Sequence, residues 1–413
     1  MRERQPATSG QTTGAGSIPE YSAGMHKTQG KRHAGGRRRR ASSPRQNVSV
    51  SGPVFRDPGH GTGRASQDGN PRSSVLQLLE TVLLTGCSEH ISQGLCRILR
   101  MTGAARRVIG CDTHDYHPGA LLFDACGVIA PADDPAFLDS VADLAERHRV
   151  DLVIPVLEAE IARFVREEVT QALGVVPVLL PNAAAVSIGL DKLATARFLQ
   201  SRDLAYPWTE VVGETDPRQL PCILKPRIGN EGHGMLRITD AHLASSYRRT
   251  RPQDLWQELL LPDDQEYTCG VYRSCLGEVR VMAIRRVWRG GRTYAGTVVR
   301  HPEIEAYLTA IAEGLGLQGS INVQLRLTER GPVAFEINPR FSGTVVFRHL
   351  LGFEDFCWSL QEARGLPPAV FRGVPSGYRF FLGAQELIIA AAPDGAAIAS
   401  NGHLAPNLAS YTS

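Results

Sequence analysis

The sequence predicts an α/β domain with a small, doubly wound parallel sheet, followed by an α+β domain of antiparallel strands and helices. Three observations predict it. Short apolar strands alternate with helical stripes from about residue 80 to 187, which is the pattern of a parallel sheet with crossover helices. The texture changes at Leu190, where short strands separated by glycine-rich turns take over. An amphipathic hairpin then spans Ile321 to Arg340.

The chain has 413 residues, enough for two or three domains, and 42% of them are apolar, enough for a sizeable core. The net charge of +3 hides an asymmetry. Thirteen of the 45 basic and four of the 42 acidic residues fall within the first 77, leaving 32 basic against 38 acidic in the rest. Residues 1–77 are rich in Gly, Ser, Pro, Gln and Arg and carry almost no periodic apolar residues. Such a segment buries too little surface to offset its ordering entropy, so a disordered basic tail is expected. Its run Arg37-Arg38-Arg39-Arg40 has no interleaved aromatic residues to stack on bases, which argues against a nucleic-acid partner.

Eight cysteines are scattered, with no CxxC pair and no accompanying histidine cluster. Neither metal-site spacing nor a small disulfide scaffold is evident, which suits a reducing cytoplasm. No apolar run reaches membrane-spanning length, and the N-terminus has no apolar signal core.

In the first domain, residues 78–187, Val82-Leu83-Leu84 reads as a strand and Ser92–Arg100 as a helix. Val108–Asp112 is a second strand, and Pro135–Arg147 a helix with Phe137, Leu138, Val141 and Leu144 on one stripe. Val150–Val156 is a third strand and Val176–Leu180 a fourth. The stretch TGCSEHISQG after the first strand lacks the spaced glycines of a dinucleotide fingerprint, and Glu89 and His90 stand where pyrophosphate would need close backbone approach. A nicotinamide-dependent oxidoreductase is therefore disfavoured, although Asp112 ends the second strand where a ribose-binding acid would sit.

Three segments of the second domain carry chemistry. In Cys222-Ile-Leu-Lys-Pro-Arg-Ile-Gly-Asn-Glu-Gly-His-Gly-Met235 an apolar strand delivers Lys225, and Gly229, Gly232 and Gly234 form a loop. Glycines let backbone N–H groups approach an anion, and the lysine adds a fixed charge. Next, Trp256-Gln257-Glu258-Leu259-Leu260 and a strand opened by Glu266 form walls for a nucleoside, with an acid able to accept from ribose hydroxyls. Third, the hairpin Ile321–Leu327 and Pro332–Arg340 alternates faces. Val323, Leu325 and Leu327 would share one face with Val333, Phe335 and Ile337. Gln324, Arg326, Glu336 and Asn338 would share the other, with Gln324 opposite Glu336. Oxygen donors of this kind suit Mg²⁺, and Arg340 beside them suits a phosphoryl group.

In this order, Asp191-Lys192, Lys225-Pro226 with its glycine-rich turn, Gln257-Glu258, Glu266-Tyr267, Asn322-Val-Gln324 and Glu336-x-Asn338-Pro-Arg340 resemble the ATP-grasp superfamily, most closely the carbamoyl-phosphate synthase large-subunit branch. The resemblance covers roughly residues 80–365. It implies a pre-ATP-grasp domain followed by a two-lobed ATP-grasp domain over 188–366, with a flap lobe at about 205–256 and a C-terminal segment from 367 to 413. It implies ATP with Mg²⁺ or Mn²⁺ as cofactors. Lys192, Lys225 and the loop Gly229–Gly234 would meet the phosphates, Glu258, Leu259 and Leu260 the adenine, and Glu266 the ribose. Gln324, Glu336 and Asn338 would hold the metal. Arg340, Lys225 and Arg286 would act on the reacting groups, with Arg285 and Arg300 as further candidates for a substrate carboxylate. The glycines of the loop are isolated where many members have adjacent ones, and the chain holds one such unit, so carbamoyl-phosphate synthesis itself is disfavoured.

The resemblance implies a carboxylate–amine ligase that forms an acyl phosphate and transfers the acyl group to an amine or ammonia, releasing ADP and phosphate. Its partners would be small-molecule acids and amines, with no membrane partner and a homodimer left open. The alternatives are a biotin-carboxylase-like subunit and a non-catalytic ATP-binding regulator.

Overall fold

The computed structural model describes residues 79–229, 234–383, 386–391 and 397–400, the last two stretches by backbone course alone. The basic tail expected over 1–77 lies outside the described residues.

The first sheet is parallel, with strand order β3-β2-β1-β4. It consists of β1 (Leu79–Leu84), β2 (Ala105–Asp112), β3 (Ala125–Val128) and β4 (Leu152–Ile154). Helices α1 (His90–Thr102), α2 (Phe137–His148) and α3 (Glu158–Arg166) connect or follow these strands. Alternate residues of β1 serve opposite faces. Val82 and Leu84 pack with Leu95, Ile98 and Leu99 of α1, whereas Leu83 packs with Phe137, Val141 and Leu144 of α2. Helices therefore cover both faces, the doubly wound arrangement that the alternating pattern predicts.

Two details differ from expectation. Residues 125–128 form a strand although their sequence, Ala-Cys-Gly-Val, has little β-propensity; pairing of Gly110 with Cys126 carries it. The fourth strand expected at Val176–Leu180 shrinks to β6 (Val176–Pro177), which turns back on β5 (Ala172–Leu173), plus a single parallel bridge from Val153 to Val178. Pro177 has no N–H with which to extend a ladder.

Helices α4 (Ala183–Leu190) and α5 (Lys192–Ser201) lead into the second region. Asp191 caps α5 by accepting from the backbone of Leu193 and Ala194 at 2.9 and 3.2 Å. A small antiparallel sheet follows, ordered β7-β10-β8-β9, from β7 (Thr209–Val211), β8 (Cys222–Lys225), β9 (Leu236–Ile238) and β10 (Leu255–Glu258). Helix α6 (Ala241–Thr250) covers it, with Ala244 and Tyr247 against Leu224 and Trp256. Residues 230–233, which include the predicted Gly232, lie outside the described residues.

The large antiparallel sheet runs β15-β14-β11-β12-β13-β16-β17-β18. Its strands are β11 (Glu266–Arg273), β12 (Val279–Arg289), β13 (Arg292–Val299), β14 (Gly319–Thr328), β15 (Gly331–Asn338), β16 (Arg379–Leu382), β17 (Glu386–Ala391) and β18 (Ala397–Ser400). Helix α7 (Pro302–Gly314) covers one face through Ile304, Leu308 and Ile311. On the other face, α8 (Val345–Leu350) and α9 (Asp355–Ala363) pack through Phe347 and Trp358 against Tyr272 and Ile284. Val345, Val346 and Phe356 also join the core under α1, so these helices bind the large sheet to the first domain. The C-terminal residues that show no pattern in sequence thus extend this sheet by three strands. Glu258 and Glu266, expected on flanking strands of one wall, belong to different sheets.

The β14–β15 hairpin sets Gln324 opposite Glu336 and Asn322 opposite Asn338. The expectation that Val333, Phe335 and Ile337 share one face is corrected. Pairing passes from Gln324–Glu336 directly to Leu325–Ala334, so Phe335 is an extra residue in a β-bulge. The bulge shifts the alternation. Ala334 joins the core beside Leu325 and Ile337, Val333 lies opposite Arg326, and Phe335 turns to the polar side with Glu336.

Candidate active site

The small sheet, the large sheet and the first domain together enclose a cleft of ≈ 1170 Å³, larger than the roughly 300–1,000 Å³ of a pocket for one small molecule and so roomy enough for two. Its wall includes Lys192, Lys225, Gly229, Glu258, Leu259, Leu260, Glu266, Arg286, Gln324, Glu336, Asn338 and Arg340. These are the site residues that the sequence points to, brought together from seven elements and their flanks.

Two lysines stand at the end nearest the glycine-rich loop. Lys192, the first residue of α5, donates to the carbonyl of Gly229, and its Nζ lies 3.5 Å from Glu336 Oε1. Gly229 has φ +111 with open space around it, so backbone conformation rather than crowding calls for glycine there. Lys225 donates to the carbonyl of the bulged Phe335 at 3.0 Å. Burial pulls its ammonium down to about 7, only partly opposed by Glu336, with Lys192 pushing the same way as burial. Asp191 holds Arg227 by two prongs, at 2.6 Å to NH2 and 2.9 Å to Nε. Burial alone would raise the Asp191 carboxyl; the Arg227 and α5 backbone hydrogen bonds outweigh it and hold the group below its usual range.

The three oxygens expected at a metal each face a protein cation. Gln324 Oε1 accepts from Arg286 at 2.9 Å. Asn338 Oδ1 accepts from Arg340 at 3.3 Å. Glu336 faces Lys192. The buried Asn338 Nδ2 has no hydrogen-bond partner among the described residues. One carboxylate and two amide oxygens make an all-oxygen donor set of the kind that hard divalent cations take, and their outlook toward positive charge fits that assignment.

At the other end Glu266 is clamped between Arg286, at 2.5 and 2.8 Å, and Arg326, at 2.5 Å. Arg326 also donates to Asp263 at 3.0 Å. Glu258 pairs with Arg330 at 2.6 Å and accepts from the backbone of Trp208 at 3.3 Å. Arg340 is fixed from the first domain: its NH2 lies 2.7 Å from Glu158 Oε1, a close ion pair rather than a well-aligned hydrogen bond.

Some expectations are corrected. Arg285 lies opposite Tyr267, whose side chain packs into the α7 core, and is exposed outside the cleft. Arg300 is exposed and, among the described residues, pairs loosely with Glu305, at 3.8 Å. Neither can serve a substrate carboxylate in the cleft, because strand alternation and the strand end turn them away. Gly234 is engaged by Arg251 at 2.7 Å and is not among the lining residues. Sequence reasoning missed Glu158, a helix-start acid with no local signal of its role. It also left Arg326 as an undistinguished polar-face residue.

The chain is similar to several known proteins. Residues 255–380 match the family described as ATP-grasp in the biosynthetic pathway with Ter operon. The chain is 26% identical over 321 residues to a formate-dependent phosphoribosylglycinamide formyltransferase of Synechococcus sp. (strain CC9605), covering 70% of this chain and 77% of that protein. It is 23% identical to the protein of that name from Ignicoccus hospitalis, over 70% of this chain and 76% of the other. Among solved structures it resembles N5-carboxyaminoimidazole ribonucleotide synthetase from Thermus thermophilus, with 17% identity, TM-score 0.58, and 73% and 82% of the two chains covered. It also resembles L-amino acid ligase from Bacillus licheniformis, with 16% identity, TM-score 0.56, and 75% and 79% covered. Fold, matched segment and clustered residues agree: the chain carries an ATP-grasp domain.

Proposed function

We propose that the protein is a carboxylate–amine ligase that uses ATP and magnesium. The γ-phosphoryl group passes to a substrate carboxylate, an amine or ammonia attacks the resulting acyl phosphate, and ADP and phosphate leave. The observation that carries this reading is the opposition of three ligand oxygens, on Gln324, Glu336 and Asn338, to three cations, on Arg286, Lys192 and Arg340, within one cleft.

Gln324, Glu336 and Asn338 would hold the metal, which supplies charge neutralisation for the phosphates when bound. The chain's own groups do the rest by positioning and electrostatics, which suffice for phosphoryl transfer. Lys192 and Lys225 bind phosphate oxygens, and the negative charge of the nucleotide favours the ammonium form of Lys225. Leu259 and Leu260 offer an apolar wall to the base. Arg340, braced by Glu158, orients the acceptor carboxylate or the phosphoryl group in flight. Arg286 belongs to the same catalytic set through Gln324 and Glu266. Assignment of the flap lobe to about 205–256 is part of this reading, supported by the separate small sheet.

The names of the relatives include a formate-dependent formyltransferase and an amino-acid ligase, in keeping with a small acid and an amine as partners. A cytoplasmic setting accords with eight unpaired cysteines, and no helix among the described residues is long and apolar enough to cross a membrane. Convergence of Lys225, Glu336 and Arg340 favours catalysis over a purely regulatory nucleotide site. The test is incubation of the purified chain with ATP, magnesium and a mixed pool of acids and amines. ADP that appears only when both classes are present, with a product mass equal to acid plus amine less water, supports the reading. AMP with pyrophosphate sinks it.

A further inference from the structure

At the carboxyl edge of the parallel sheet the fold assembles a group that is not among the residues lining the cleft and has no sequence spacing to announce it. Cys87 follows β1, His117 lies in the connection after β2, and Cys126 sits on β3. One ligand atom from each lies within 4.8 Å of the others. We propose that Cys87, His117 and Cys126 form a thiolate–imidazole site for a soft divalent cation, with zinc as the matching ion and water as the fourth ligand.

The distances suit this. Zinc bonds of about 2.3 Å to sulfur and 2.0–2.1 Å to nitrogen, at the tetrahedral angle, place sulfur and nitrogen about 3.6 Å apart. Cys87 Sγ and His117 Nε2 are 3.5 Å apart. Two glycines clear the ground. A Cβ on Gly110 would stand 2.7 Å from Cys87 Cβ and 3.0 Å from its Sγ, and one on Gly119 would stand 2.8 Å from His117 Nδ1. The Asp112 carboxylate accepts from the backbone next to Cys87, so negative charge lies beside the group, toward which a cation is drawn. Asp112 is committed to backbone N–H groups of Ser88 and Thr113, at 2.9 and 2.8 Å, and so supports the site rather than ligating it. His117 is partly exposed and Cys126 exposed, which gives an ion a route in and leaves room for water. Metal here would tie the ends of β1, β2 and β3 together.

The test uses the full chain, reduced and freed of metal by chelation, then titrated with zinc and separately with cobalt. The expected result is about one tightly held equivalent per chain, a sulfur-to-cobalt charge-transfer band in the near ultraviolet, and a higher melting temperature with zinc than without. Cys126→Ser and His117→Ala, each checked for native circular dichroism, should lose the band and most of the bound metal. The proposal is overturned if the reduced, folded chain holds no metal after dialysis. It also fails if Cys126→Ser binds as wild type does, which would place the ion elsewhere. A Cys87–Cys126 disulfide that survives reductant would overturn it as well.

Discussion

Glu158, at the start of α3 in the first domain, holds Arg340 of the catalytic cleft at 2.7 Å, with both side chains largely buried. The two residues lie on opposite sides of the join between the parallel sheet and the large sheet. The pair therefore makes the position of the Arg340 guanidinium in the cleft depend on the packing of the first domain.

Glu158→Gln should lower kcat by about 10²-fold, the scale expected when a positioned group is freed by about an ångström, with a smaller change in KM for ATP. Combined with Arg340→Ala it should add little, because the carboxylate acts through the arginine. Steady-state kinetics on both single variants and the double variant check this. Additive losses would contradict it.

Lys225 gives a proton-linked prediction. In the free protein burial brings its pKa down to about 7, and phosphate charge should raise it. At pH 8 the free lysine is mostly neutral, so nucleotide binding should take up about one proton, whereas near pH 6 Lys225 is already charged and contributes none. Calorimetry in buffers of different ionisation enthalpy measures the uptake, and Lys225→Met should abolish it. The sign for stability follows from the same shift. Between about pH 7 and the ordinary lysine value of 10.5, the unfolded chain binds a proton that the folded chain does not. Folding stability therefore gains from this group as pH rises through that window.

Removal of the Glu336 carboxylate should stop ATP turnover while sparing the fold. It takes away the single charged oxygen of the donor set and the one partner that opposes burial at Lys225. Glu336→Ala should reduce ADP formation by at least about 10²-fold, with a near-native melting curve. Retained turnover would remove the metal assignment.

A separate prediction concerns stability alone. Arg348 and Asp355 form a fully buried pair at 3.0 Å between α8 and the start of α9, and Ser320 donates to the same Asp355 oxygen at 2.6 Å. Arg348→Leu leaves Asp355 without its cation and should cost about 3–5 kcal/mol, read as a lower denaturant midpoint at unchanged slope. Replacement of both by apolar residues should cost much less.

The hairpin itself was legible from strand alternation, but a two-residue loop at Glu329 and Arg330 with unbroken pairing would set Gln324 opposite Phe335, and it is the bulge that brings Gln324 to Glu336. What alternation cannot show is the bulge: Phe335 is an ordinary apolar residue of a strand until the pairing skips it. Lys225 was legible from the strand that ends at Pro226 before a glycine-rich loop, whereas Lys192 came only from the family resemblance. Glu158 was not, since its partner lies 182 positions away on another domain. The Cys87, His117 and Cys126 group was hidden for the same reason, because its spacing follows no local motif and only the strand order β3-β2-β1 brings it together. The strands after Leu366 escaped notice because Arg379–Leu382, Glu386–Ala391 and Ala397–Ser400 are short and follow a stretch rich in Pro and Gly, and pairing onto β13 is what sets them in the sheet.

Passage through an acyl phosphate moves a carboxylate oxygen onto phosphate, so isotope transfer reads it out. With the acid found in the substrate screen and labelled with heavy oxygen in its carboxylate, one labelled oxygen should appear in the phosphate released per turnover, and none with Glu336→Ala. Amide product formed with all of the released phosphate unlabelled would contradict it.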